Sequence, residues 1–183
     1  RRMTPAPGHP YQRAALGIAD DAIVIGAFVT PLKLSRRTTA LWREILDRLP
    51  NAVLAFSPNA GWLRDTYPAI LGAAGIDPSR TIMVPQGGDE ARNLARYAVV
   101  DFVLDPMPYG GVNGTLEALD AGVPVVTLLG KRHSERTSYS ILVNANVTQT
   151  IASSGSEYVD IAVRLATDER FMREVRAAIR AGI

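Results

Sequence analysis

A chain of 183 residues, 47% hydrophobic and 21% charged, has the ordinary composition of one globular domain with a substantial core. A formal charge of +2 is too small to argue for a nucleic-acid partner, and the lack of cysteine excludes thiol catalysis, disulfides and thiolate metal sites. The longest apolar runs, such as Val123 to Leu129, are far too short to span a bilayer, and no signal-peptide layout opens the chain; a cytoplasmic protein is the expectation.

Residues 1–11, rich in Pro and Arg and without periodicity, read as a linker or arm, and 12–183 as one domain. Ala22–Phe28 reads as a strand, and Arg36–Arg48 as a helix carrying Leu41, Trp42, Ile45, Leu46 and Leu49 on one face. Ala52–Phe56 is the next strand, Trp62–Ala73 the next helix, and Thr81–Val84 a third strand followed by a helix over Asp89–Ala98. Phe102–Leu104, a helix over Gly114–Ala121 and the strand Val123–Leu128 continue the pattern. Two or three helices close the chain, with Phe171, Val175 and Ile179 spaced for one buried face.

Strands that are apolar throughout and separated by helices indicate a parallel sheet covered on both sides. The fold class is therefore α/β, a doubly wound, Rossmann-like sheet. Ligands of such sheets bind beyond the carboxyl ends of the strands. That points to Thr30–Lys33, Pro85–Gly88, Asp105–Asn113 and Gly130–Arg136.

The strongest local signal is the run Asp105-Pro106-Met107-Pro108-Tyr109-Gly110-Gly111-Val112-Asn113-Gly114-Thr115-Leu116-Glu117. It follows a strand and opens a helix, so the amides of Asn113, Gly114 and Thr115 would point from a helix N-terminus toward a phosphate. A plain helix with Asn113 as N-cap would present the same residues. Glu117, one turn on, could accept hydrogen bonds from a ribose diol, or serve only as a first-turn acid favoured by the helix dipole. Lys33 follows the first strand, where a cation could neutralise a diphosphate leaving group without a metal; a solvated loop lysine is the plain alternative.

His133 and Arg136 face the same edge by topology, and no general base is assigned. The clusters Lys33, Arg36, Arg37 and Lys131, Arg132, Arg136 suit either solvated helix ends or a small anionic ligand. No G-x-G-x-x-G follows the first strand, no P-loop exists, and His9 and His133 are the only histidines, which argues against nicotinamide chemistry and a metal site.

Read in order, Phe28…Leu32-Lys33, Leu46…Leu49-Pro50-Asn51-Ala52-Val53-Leu54 and Gly75-Ile76-Asp77-Pro78-Ser79-Arg80-Thr81-Ile82 resemble the catalytic region of O-GlcNAc transferases. So do Asp105…Gly114, Ala121-Gly122-Val123-Pro124-Val125-Val126-Thr127, Arg136…Ser140 and Glu157-Tyr158…Ala162-Val163…Leu165-Ala166. The stretch Pro106-Met107-Pro108-Tyr109-Gly110…Asn113-Gly114 looks more like the related bacterial adhesin-modifying N-glucosyltransferases.

The resemblance implies the C-terminal lobe of a two-lobed GT-B glycosyltransferase, holding a UDP-sugar. It implies inverting, metal-independent transfer of glucose or N-acetylglucosamine to a protein or peptide, with no cofactor and with the N-terminal lobe as partner. By the same resemblance, Thr30 and Lys33 contact the diphosphate, Asn113 to Thr115 form its helix start and Glu117 meets the ribose. The backbone at Gln86 and Gly87 reads the uracil, with Arg96 and Arg136 as further donor contacts.

Three departures accompany the match. Val112-Asn113-Gly114-Thr115 stands where the animal enzymes have His-Thr-Thr-Gly, Glu117 replaces an Asp, and no base-stacking His occurs around Arg92-Asn93. They leave the sugar open. The alternatives are a non-catalytic nucleotide-binding module and a sugar-nucleotide epimerase of similar architecture.

Overall fold

The computed structural model describes residues 11–57, 61–85 and 89–183. Six short strands alternate with helices: β1 (Ile23–Ala27), β2 (Ala52–Phe56), β3 (Thr81–Met83), β4 (Phe102–Leu104), β5 (Val125–Leu128) and β6 (Ile151–Ala152). The helices are α1 (Arg36–Arg48), α2 (Trp62–Ala73), α3 (Glu90–Ala95), α4 (Asn113–Asp120), α5 (Thr137–Asn144), α6 (Gly155–Thr167) and α7 (Glu169–Gly182). The sheet runs β3-β2-β1-β4-β5-β6, with each adjacent pair parallel. Between β1 and β4 the winding reverses: the chain leaves β1 toward β2 and leaves β4 toward β5. At such a switch point the two loops diverge and open a crevice at the carboxyl edge.

Local chemistry explains why the elements start and stop where they do. Ser35 caps α1 by accepting from the Thr38 amide at 3.1 Å, and Asp168 caps α7 by accepting from the Phe171 amide at 2.9 Å. The end of α1 would leave carbonyls without partners. Arg80 supplies donors there, reaching the Leu49 carbonyl at 2.6 Å and that of Leu46 at 3.3 Å, and it also reaches the Ala52 carbonyl at the start of β2 at 2.6 Å. Trp42 and Ile45 are buried from α1, and the Trp42 indole N–H donates to the Tyr158 hydroxyl of α6 at 3.1 Å. On α7, Phe171, Val175 and Ile179 form the buried face that their spacing predicts.

Some boundaries move. Tyr11, grouped with the arm by composition, is buried against the core. Arg13 fastens this entry through the Val99 and Ala22 carbonyls and the Asp101 carboxylate. The third helix is shorter than its pattern predicts and tightens into a 3-10 turn over Arg96–Val99. Asn113 is the first residue of α4 rather than its cap. The two-residue β6 has no counterpart in the periodicity.

Candidate functional site

A cleft of about 530 Å³ lies at the switch point. One wall comes from the chain after β1, with Phe28, Val29, Thr30 and Lys33; the other comes from the chain after β4, with Asp105, Pro106 and residues 111–115. Asn93, Arg96, Tyr97 and Glu117 close one end. The sequence-predicted residues Thr30, Lys33, Arg96, Asn113, Gly114, Thr115 and Glu117 thus meet in one cavity.

No side chain caps the start of α4, where Val112 stands at the N-cap position. The amide donors of its first turn therefore sit uncapped beside the cleft, carrying the positive end of the helix dipole. Lys33, in a 3-10 turn opened by Thr30, adds a cation from the opposite wall and donates to the Gly110 carbonyl at 3.3 Å. The Thr115 hydroxyl is engaged within the fold. It is buried and tied to Ser138 Oγ at 2.9 Å, and Ser138 donates in turn to the Gly111 carbonyl at 2.9 Å. What Thr115 offers the cleft is its backbone amide.

Arg96 and Glu117 form one unit. Arg96 Nη2 donates to Glu117 Oε2 at 3.0 Å, and Nη1 donates to Ser57 Oγ at 3.0 Å. Its guanidinium lies 4.8 Å from the Phe28 ring centroid and 5.3 Å from that of Tyr97. Such stacking adds to the ion pair. The Tyr97 hydroxyl also donates to Glu117 Oε2, at 3.0 Å, and burial pushes its pKa above the usual phenol value. Among the described residues, Glu117 Oε1 meets only the Asn93 amide, at a long 3.5 Å. One carboxylate oxygen is thus fully used and the other can still accept.

Sequence reasoning missed Asp105 as a site residue. Asp105 directly follows β4, and its buried carboxyl accepts from the Gly111 amide at 2.6 Å and from the Thr127 hydroxyl at 2.7 Å. Burial pushes its pKa up to about 6, against the lowering effect of these hydrogen bonds and of Lys33. The glycines make this wrapping possible. A Cβ at Gly110 would stand 2.9 Å from Thr137 Oγ1 and 3.1 Å from Asp105 Oδ2, and one at Gly111 would stand 2.9 Å from Thr115 Oγ1. An acid at a strand's carboxyl end, a few residues before a Gly-Gly pair, was the available signal.

Two expected residues lie elsewhere. Arg136 is exposed, donates to the Gly130 carbonyl at 3.1 Å and stacks 4.8 Å over Tyr139, outside the cleft lining. His133 is exposed in a 3-10 turn and also lies outside that lining. Gln86, Gly87 and His9 lie outside the described residues. No helix among the described residues is long and apolar enough to cross a membrane.

A phosphate-ready helix start, a facing lysine and an acid one turn on occupy the switch point, in the chain order of the resemblance. Residues 10–182 match glycosyl transferase family 41. The chain belongs to that family. In the rice Oryza sativa subsp. japonica, the "Probable UDP-N-acetylglucosamine--peptide N-acetylglucosaminyltransferase SPINDLY" is 29% identical over 166 residues, which are 89% of this chain and 18% of that protein.

An O-GlcNAc transferase of Thermobaculum terrenum, solved in a mutant form, superposes with a TM-score of 0.80 at 29% identity, over 99% of this chain and 34% of that one. This family-41 chain therefore has the α/β, GT-B-type fold of the C-terminal lobe of those transferases. The UDP-GlcNAc 2-epimerase of Neisseria meningitidis shares the fold alone, with a TM-score of 0.59 at 11% identity over 91% of this chain and 42% of that one. The epimerase reading thus has no support beyond architecture. The chain spans about a fifth of the length of the first curated relatives it matches.

Proposed function

We propose that this chain is the donor-holding lobe of a glycosyltransferase that moves glucose or N-acetylglucosamine from a UDP-sugar to a protein side chain, with inversion and without a metal. The observation that carries this reading is the convergence of the uncapped α4 start, Lys33 and the Arg96–Glu117 unit in one cleft at the switch point.

In this reading the α4 amides and Lys33 hold the diphosphate, with Thr30 beside them. As the bond to the sugar breaks, negative charge grows on the departing UDP. Donors already in place stabilise that charge without reorganising. Glu117 Oε1 accepts from the ribose diol while Arg96 and Tyr97 fix its partner oxygen. The backbone at Gln86 and Gly87 reads the uracil. Arg136 joins as an outer contact when its guanidinium leaves Tyr139. The acceptor enters from the open edge, opposite an N-terminal lobe of a longer cytoplasmic protein.

Nucleotide-dependent melting tests the reading. UDP at about 100 times its dissociation constant should stabilise the protein by roughly 2.7 kcal/mol, a clear rise in Tm. Adenosine and guanosine diphosphates should do less. Equal shifts with all three would sink the uridine assignment.

A further inference from the structure

Asp105 presents a problem that the donor reading leaves unsolved. A diphosphate must lie in a cleft whose lining already includes a buried carboxyl group. Two negative groups sharing one desolvated site disfavour each other's charge. The arrangement around Asp105 gives a way out. Gly111 N–H reaches Oδ1 at 2.6 Å, and Thr127 Oγ stands 2.7 Å from Oδ2.

An ionised carboxyl accepts both hydrogen bonds. A neutral one accepts from Gly111 through its carbonyl oxygen and donates its proton to Thr127 Oγ, because a hydroxyl can reverse its role. The same turn geometry is thus held in both states. We propose that Asp105 is a positioning residue that pins the Gly110–Gly111 turn in either protonation state and takes up a proton from solvent when a sugar-nucleotide diphosphate enters the cleft.

The surroundings support that exchange. The carboxyl is buried at the cleft wall, and burial pushes its pKa up to about 6, close to neutrality before any ligand arrives. Lys33, from the turn after β1, is the cation that lowers it; Gly111 of the glycine turn and Thr127 of β5 are its hydrogen-bonding partners, and Ser138 of α5 is a further lowering neighbour. From α6, the Tyr158 hydroxyl donates to the Asp105 carbonyl at 3.0 Å, and burial raises its pKa well above the phenol value, so it remains neutral. A ligand diphosphate competes for Lys33 and adds negative charge, and both effects raise the Asp105 pKa further. The positioning is equally direct: the Gly111 amide held by Asp105 precedes the open amides of α4 by two residues, and Lys33 rests on the Gly110 carbonyl.

The inference rests on the donor reading, and one calorimetric experiment separates them. The probe is UDP-N-acetylglucosamine, because both of its phosphates are substituted, whereas the terminal phosphate of free UDP itself titrates near about 6. Titrations near neutral pH in buffers of different ionisation enthalpy measure the protons exchanged on binding. The wild-type protein should take up a fraction of a proton. Asp105→Asn keeps the shape and both hydrogen bonds without the charge; it should take up none from this site and bind at least as tightly as wild type. Asp105→Ala releases the turn and should bind about tenfold or more weakly.

Thr127→Val provides a second variant should Asp105→Asn fail to fold. Losing a hydrogen bond to the charged form raises the Asp105 pKa, so the pH of greatest uptake should move upward. Wild-type binding without proton uptake, or unchanged uptake in Asp105→Asn, overturns the inference alone. No binding of the donor by wild type removes the proposed function and the inference with it.

Discussion

The two edges of the sheet use charge in opposite ways. At the amino edge Arg13, Asp101 and Arg80 are each engaged several times over within the chain. Arg13 reaches two carbonyls and the Asp101 carboxylate, Asp101 accepts the Val24 amide at 2.9 Å, and Arg80 covers three carbonyls between the last turn of α1 and the start of β2. At the carboxyl edge α4 starts without a cap, Lys33 makes one long hydrogen bond, and Leu32, Tyr109, Val112 and Leu116 stand exposed. A polar group whose partners all come from its own chain contributes to folding. One that is part-buried and under-used contributes when something else arrives. Arg96 is the exception at the carboxyl edge, because it lies in the cleft and yet has both terminal nitrogens engaged within the chain, its buried Nε alone lacking a hydrogen-bond partner among the described residues.

That exception gives the largest expected effect. Arg96→Ala removes the buried member of an ion pair whose other member, Glu117, is part-buried, which costs about 3 kcal/mol, so this cleft residue should behave in denaturation like one of the amino edge. A loss under about 1 kcal/mol in urea unfolding would break the comparison.

Asp105→Asn should act in the other direction. The wild-type carboxyl has its folded pKa raised to about 6, so its favourable contribution belongs to the acid side and fades as pH rises through that value. The variant should therefore be more stable above neutrality by about 2–3 kcal/mol, and the advantage should shrink through pH values near 6 and vanish in acid. Tm measured across pH checks this; a gain that grows on acidification would reverse the sign.

A matched pair sharpens the contrast between the edges. Arg13→Ala should cost about 2 kcal/mol of stability and leave donor affinity unchanged. Lys33→Ala should weaken donor binding by about ten- to a hundred-fold with stability altered by less than about 0.5 kcal/mol. Urea unfolding and calorimetry on both proteins test it, and interchanged outcomes would defeat the comparison.

The smallest effect belongs to Arg136. Exposed and engaged with Tyr139, it should change donor affinity by less than about tenfold on replacement by alanine. A larger loss would make it a full member of the site.

Residue order alone specifies the alternation of strands and helices. Burial writes a period into each element, and β2, β4, α1 and α2 have the boundaries that period predicts. It also placed Lys33, Asn113, Gly114 and Glu117 at the carboxyl edge, because in a parallel sheet the chain leaves every strand at the same edge.

Tertiary structure decided what those residues touch. The two-residue β6 exists only as a pairing with β5, and two residues carry no period. The Thr115 hydroxyl is spent on Ser138, the Glu117 carboxylate is shared with Arg96 and Tyr97, and Arg136 turns to Tyr139. Asp105 gained its role because β5 and the glycine turn close around it, which no local pattern encodes. Periodicity is a property of neighbours in the chain, whereas hydrogen-bond saturation is a property of neighbours in space. The first could be read before the fold was known, and the second only after it.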